Sequence, residues 1–288
     1  MAGKPEVRGL YHEPTATFSY VAWDPDTLEA AIIDPVLDFD SASGHTGSAT
    51  AAALLAVVER EGLRTAWILD THAHADHLSA VGYLHERTGA PIGIGAGIAT
   101  VQSTFSEIYN LGTDFPVDGR QFDRLFNDGE RFNLGRIEVE VIATPGHTND
   151  SVTYRMGDAT FVGDTLFAPD YGTARCDFPG GDAATLFRSV QRLYRLPEDT
   201  RLFLCHDYPP DSRKPRCEWS VREQREGNIH INAQTREDDF VAMRTERDAG
   251  LPMPALIIPS IQVNIRAGRL PEPDDNGTRY LRVPLNTL

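Results

Sequence analysis

The chain has 288 residues, 41% of them hydrophobic and 24% charged, an ordinary balance for a soluble globular protein. The longest apolar run in its N-terminal half, Ala51 to Val58, falls far short of the ~18 residues of a membrane span, and the start, MAGKPEVRGLYHEP, lacks the apolar core of a secretory signal. A net charge of −15 argues against nucleic acid, which needs a basic footprint, so composition predicts a cytoplasmic protein without nucleic-acid or membrane partners.

In chain order, Phe18 to Trp23 and Leu28 to Ile33 read as strands around the turn Asp24-Pro25-Asp26. Gly44 to Gly47 reads as a loop, and the Ala/Leu-rich stretch from Thr50 to Glu61 as a helix. Thr65 to Leu69 is a short strand. Leu78 to Arg87 then has helical spacing, with Leu78, Val81, Leu84 and His85 along one side, and a further helix is predicted near Ile98 to Tyr109. Arg136 to Ala143 alternates Ile137, Val139 and Val141 against charged neighbours, the pattern of a half-buried strand. Ser151 to Arg155 and Ala159 to Val162 form a predicted hairpin through Met156-Gly157-Asp158. Asp182 to Leu196 is the clearest amphipathic helix, with an acidic residue at its start where the dipole favours one. Arg201 to Cys205 returns to strand, and Glu218 to Glu226 and Arg236 to Arg247 read as helices. Residues 249–288 carry much of the proline and little periodicity, and read as a tail wrapping the rest. The expectation is one α/β domain over 1–288, with 231–288 as a C-terminal extension packed on it. Cys176, Cys205 and Cys217 are odd in number and form no CxxC pair, which argues against a disulfide framework or a cysteine zinc knuckle.

The chemistry concentrates where the strand ending at Leu69 runs into THAHADH. If that segment is extended, His72, His74 and Asp76 share one side, Ala73 and Ala75 take the other, and His77 turns toward the same point. Three later strand-like runs end in a further metal-competent side chain: VEVIATPGH at His147, ATFVGD at Asp164 and RLFLCH at His206. Strand ends are where α/β sheets build sites. Imidazole and carboxylate together suit zinc, iron or manganese, whereas an all-oxygen set would suit calcium or magnesium. A structural metal calls for a closed four-ligand site, and seven candidates exceed that.

THAHADH, TPGHTNDS, FVGDTLF and CHDY closely resemble the successive ligand motifs of the metallo-β-lactamase superfamily, over about residues 15 to 230. The resemblance implies an αββα sandwich, two mixed sheets face to face with helices outside and the metal site at one edge. Within the superfamily, IIDPV (Ile32 to Val36), the Ala73 and Ala75 spacers, ARCDF (Ala174 to Phe178) and HDY (His206 to Tyr208) look most like persulfide dioxygenases. The stretch GDTLFAPDYGTARCDFPGG resembles a bacterial branch labelled β-lactamase-like hydrolase. Hydroxyacylglutathione hydrolases are the nearest competitors, but their aromatic or His spacers and Arg-Phe-Phe stretch are missing here. Ala174, Cys176 and the lead-in Tyr171-Gly172-Thr173 depart from the dioxygenase pattern and bear on substrate fit.

By this resemblance His72, His147 and Asp164 bind one Fe(II), the two-histidine, one-carboxylate set of non-haem iron oxygenases. His74, Asp76, His77 and His206 form a second metal site in the hydrolases and an outer shell that orients ligands and water in the dioxygenases. Arg175 would face the open side and place a glutathione moiety, with Asp177 holding it; Asp76 joins these two as a catalytic candidate. Arg213, Lys214 and Arg216 form a basic cluster that reads either as a grip for glutathione carboxylates or as a solvated loop. Tyr208 reads as pocket lining or core, and Cys176 as a bystander. The resulting expectation is an enzyme that oxidises glutathione persulfide with O₂ to sulfite and glutathione, as a homodimer. The alternatives are a dinuclear zinc hydrolase of a glutathione thioester or lactone, and a metal- or sulfide-sensing protein. The charge disfavours a nuclease.

Overall fold

The computed structural model describes residues 3–287. Strands β1 (Glu6–His12), β2 (Thr17–Trp23) and β3 (Glu29–Ile33) form a meander, followed by the hairpin β4 (Val36–Asp40) and β5 (His45–Gly47) and by α1 (Ala49–Arg60). The half closes with β6 (Arg64–Leu69), β7 (Leu78–Ser79), α2 (Val81–Thr88), β8 (Ile92–Gly95), α3 (Ile98–Ile108) and β9 (Arg124–Phe126). Then come β10 (Arg131–Leu134), β11 (Ile137–Ala143), β12 (Val152–Met156), β13 (Ala159–Phe161), α4 (Ala183–Leu193) and β14 (Arg201–Phe203). The chain ends with β15 (Glu218–Ser220), α5 (Val221–Gly227), α6 (Glu237–Asp248) and α7 (Ile257–Asn264).

Two mixed six-stranded sheets result, ordered β1-β2-β3-β6-β8-β9 and β10-β11-β12-β13-β14-β15, with a small sheet β5-β4-β7 beside them. Alternation along β2 and β3 sets the layers. Tyr20, Ala22, Ala31 and Ile33 pack toward Val139, Val141, Tyr154 and Phe161 of the second sheet, while Val21, Ala30 and Ile32 face the opposite way, among Leu54, Leu84 and Val101 of the helices. A third apolar layer joins Val162, Leu202 and Leu204 to Leu186 and Val190 of α4 and Phe240 of α6. Helix, sheet, sheet, helix is therefore the stacking order, the metallo-β-lactamase architecture that the resemblance implies.

Four sequence expectations give way locally. Leu78 and Ser79 pair with Leu37 and Val36 instead of opening α2, which starts at Val81. His45 to Gly47 is a strand, held to Asp38 through Asp40. Glu218 to Ser220 pairs with β14, because Ser220 and Glu223 form a capping box that starts α5 at Val221. The C-terminal tail contains α7, whose residues Ile257 and Ser260 to Asn264 are all buried. A helix enclosed on most sides shows no amphipathic period, and Pro259 is tolerated in its first turn.

Candidate metal centre

After β6 the chain runs through Asp70 to His77 without regular structure, and its shape is fixed by buried polar side chains. Asp34, just past β3 in the left-handed region (φ 48°), accepts hydrogen bonds from the Thr71 N–H at 2.7 Å and from His74 Nε2 at 3.1 Å. The Thr71 hydroxyl donates to the same carboxylate at 3.0 Å, so it accepts from His72 Nδ1 at 3.1 Å. That leaves the lone pair of neutral His72 on Nε2. Asp150 accepts the Ala73 N–H at 2.7 Å. The spacers Ala73 and Ala75 are buried on the helix side, among Val101, Phe105, Ile257 and Ile261.

His147, Asp164 and His206 come from the second sheet. Gly146 before His147 has φ 137°, and a Cβ there would lie 2.4 Å from Leu186 backbone; Gly163 before Asp164 has φ 53°, and its Cβ would lie 2.6 Å from Thr71 Oγ1. Only glycine fits both places. His147 donates from Nδ1 to the Arg175 carbonyl at 2.7 Å, which leaves the Nε2 lone pair 3.6 Å from Asp164 Oδ2. His72 Nε2 stands 3.8 Å from the same oxygen. His206 places Nδ1 3.3 Å from the Ala16 carbonyl and Nε2 3.3 Å from both Asp164 Oδ1 and Asp76 Oδ2. His77 Nδ1 is 3.3 Å from Asp76 Oδ2.

The seven residues thus form two adjoining groups, His72–His147–Asp164 and His74–Asp76–His77–His206, each with its ligand-type atoms within 4.8 Å of one another. Asp164 lies between, one oxygen toward each group. His72 Nε2, His74 Nδ1, His77 Nε2, His206 Nε2 and Asp164 Oδ1 are all buried without a hydrogen-bond partner. Each such atom costs about 1–3 kcal/mol when left unmet, and converging lone pairs of this kind are what a cation satisfies. Electrostatics agree. Burial, then the neighbouring rings, keeps His72 and His74 well below the usual imidazole range and hence neutral. At His206 burial acts downward, but Asp164 and Asp76 outweigh it and favour positive charge at that point. Burial raises Asp164, whereas Asp76 is held well below the carboxylate range by His206 and His77 despite its own burial.

Other sequence candidates take different places. The Arg175 guanidinium, expected at the open side, makes a two-pronged pair with Asp177 (2.6 and 2.7 Å) and donates to the Pro252 carbonyl at 2.6 Å. Its backbone, through His147, is what reaches the centre. The basic cluster is not a free grip: Arg213 is engaged by Asp170 and Asp207, and Arg216 by Glu223 and the Trp219 ring, leaving Lys214 exposed. Tyr208 is 37% exposed rather than core, and its ring lies 5.8 Å from that of His206 and 4.6 Å from that of Tyr171. Cys176 is buried, with its thiol pKa pushed up first by burial and then by Asp248. Asp34, Asp150 and Asn264 brace the His72–His77 segment; Asp34 and Asp150 lie within the IIDPV and TPGHTNDS stretches without standing out there as braces, and Asn264 carries no sequence signal. A groove of about 600 Å³ runs beside His77, walled by Leu37 to Asp40, His45 to Gly47 and Ala255–Leu256.

Known proteins resemble this chain in sequence and fold. The chain is 50% identical to a probable metallo-hydrolase of Burkholderia pseudomallei, covering 98% of this chain and 99% of that protein. It is 53% identical to a beta-lactamase hydrolase-like protein of Xylella fastidiosa, covering 99% of this chain but only 65% of the relative's length. Identity to the mitochondrial persulfide dioxygenase ETHE1 of Homo sapiens is 29%, over 91% and 88% of the two chains. The crystal structure of ETHE1 from Myxococcus xanthus superposes with a TM-score of 0.73 at 29% identity, over 92% of this chain and all of that one. A family model described as the metallo-beta-lactamase superfamily matches residues 13–206, the span holding all seven candidate ligands. The chain belongs to the metallo-β-lactamase superfamily.

Proposed function

We propose that this protein is a non-haem Fe(II) persulfide dioxygenase that converts glutathione persulfide, O₂ and water to glutathione, sulfite and two protons. The observation that carries this reading is His72–His147–Asp164, a buried two-histidine, one-carboxylate group whose ligand-type atoms lie within 4.8 Å of one another. That donor set suits Fe(II) and leaves positions for other ligands. The likeness to persulfide dioxygenases, in sequence and in structure, supports it. When bound, iron supplies the electron chemistry with O₂. The chain's own residues hold and orient. Thr71 and the Arg175 carbonyl fix the ring tautomers of His72 and His147. Asp76, with His77 and His206, offers an anionic, hydrogen-bonding wall for water. Arg175 and Asp177 shape the loop beside His147.

A dinuclear zinc hydrolase of a glutathione thioester or lactone is the second reading, favoured by the His74–Asp76–His77–His206 group and by Asp164 lying between both sets. The relative named a probable metallo-hydrolase fits it too. Oxygen consumption separates the two. Protein loaded anaerobically with Fe(II) and given glutathione persulfide is expected to take up O₂ rapidly, while a zinc-loaded sample does not. No uptake by fully iron-loaded protein overturns the dioxygenase reading and directs the search to thioester and lactone hydrolysis.

A further inference from the structure

Asn264, at the end of α7, lies beyond the stretch that matches the family model, yet its side chain reaches the metal-competent segment. Its Nδ2 donates to the carbonyls of His74 and His77, both at 2.8 Å, and its Oδ1 accepts the Ser79 N–H at 2.7 Å. All three polar functions of the amide are used, and the partners fix its orientation: two acceptors need the NH₂, one donor needs the oxygen. The residue is 1% exposed. Asp34 and Asp150 brace the first half of the segment, at Thr71, Ala73 and the His74 ring. Asn264 ties together the backbone of the second half, from His74 to Ser79, which carries Asp76 and His77.

We infer that Asn264 is a positioning residue for the metal centre, setting the separation of His74 and His77 and hence the affinity and geometry with which the centre holds a metal. The inference rests on the reading of these residues as metal ligands. α7 is suited to the task because Ile257, Ile261, Val263 and Ile265 anchor it in the helix-side core, so the amide is presented from a rigid base. Outer partners that orient ligands typically change metal affinity about 10–100-fold when lost.

The test is cobalt(II) binding by the full chain, followed by the visible absorption of the bound ion and by chelator competition. Asn264→Asp keeps the shape but places a carboxylate oxygen against two carbonyl oxygens. It is expected to weaken cobalt binding about 10–100-fold and to change the absorption bands, which report ligand geometry. Asn264→Ser, milder, is expected to lie in between and carries the test should the aspartate variant not fold. Gln262→Ala is the control. Gln262, two residues earlier and equally buried, bonds to Ile258 and Arg282 but not to the metal segment. It is expected to lower thermal stability and leave the cobalt spectrum and affinity unchanged. Unaltered binding in both Asn264 variants, or an equal loss in Gln262→Ala, overturns the inference while leaving the metal reading intact. Wild-type protein that binds no cobalt removes both.

Discussion

His230 is 9% exposed, and its Nδ1 accepts the Thr173 N–H at 3.0 Å, so that nitrogen must stay unprotonated in the folded chain. Burial first, then the nearby Arg244 and Arg247, lowers its pKa from 6.5 to about 4. The candidate ligands differ in kind. Their unmet nitrogens face one another and carboxylates, whereas His230 Nδ1 is already taken by the Thr173 N–H. Its linkage to stability has a definite sign. Between pH 6.5 and about 4 the unfolded chain takes up a proton that the folded chain refuses. The contribution is therefore complete above pH 6.5 and is lost as pH falls toward about 4. Replacing His230 by Gln, which can still accept from Thr173, is expected to make the loss of thermal stability over that window shallower than in wild type. Unfolding midpoints of the metal-free proteins at several pH values give the answer, and parallel slopes would contradict the assignment.

At the scale of elements, α7 shows best what sequence patterning reveals and what it hides. Helix α4 is legible because one face is apolar and its N-cap, Asp182, accepts the Thr185 N–H at 2.7 Å. Strand β11 is legible because Val139 and Val141 alternate with exposed Glu138 and half-buried Glu140. Enclosed α7 has no polar face to set a period, and β8 goes unannounced between the two predicted helices, with Gly93 and Gly95 standing in it. Those glycines serve close approach: a Cβ on Gly95 would lie 2.3 Å from the Asp150 carbonyl oxygen, and one on Gly93 2.5 Å from the Phe126 ring. The same division holds in the site. Histidines packed into HxHxDH announce themselves by rarity and spacing, while Asp34, Asp150 and Asn264 are common residue types whose partners lie 40, 77 and 190 positions away. Only the fold brings those together. Because α7 seats Ile261 against Ala73 and Ala75, truncation of Ile261 to Ala is expected to cost about 2–5 kcal/mol. Denaturant unfolding measures it, and a loss below about 1 kcal/mol would mean that α7 is only loosely seated.

Across the whole molecule, the centre draws on both halves of the sandwich. His72 to His77 follow the end of β6 in the first sheet, while His147, Asp164 and His206 follow strands of the second. The sheets otherwise meet through apolar contacts such as Tyr20 with Phe161 and Phe203, at ring distances of 5.2 and 5.6 Å. A bound metal therefore cross-links two layers that are joined elsewhere by this apolar packing and by hydrogen bonds such as those from the Tyr154 hydroxyl to the Asp70 carbonyl and from the Ala73 N–H to Asp150. Without it, buried nitrogens and a carboxylate oxygen stay unmet at the sheet edge, at about 1–3 kcal/mol each. Any ion that binds the folded chain and not the unfolded one raises stability by mass action, roughly 4 kcal/mol at a thousandfold excess over Kd. The unfolding midpoint is accordingly expected to fall by several degrees on chelator treatment and to recover with added Fe(II) or zinc, rising further as the metal concentration increases. Scanning calorimetry of apo and reloaded protein tests this directly. A midpoint indifferent to chelator and to added metal would mean that the two groups do not bridge the halves, and would leave the five unmet atoms as ordinary buried polarity.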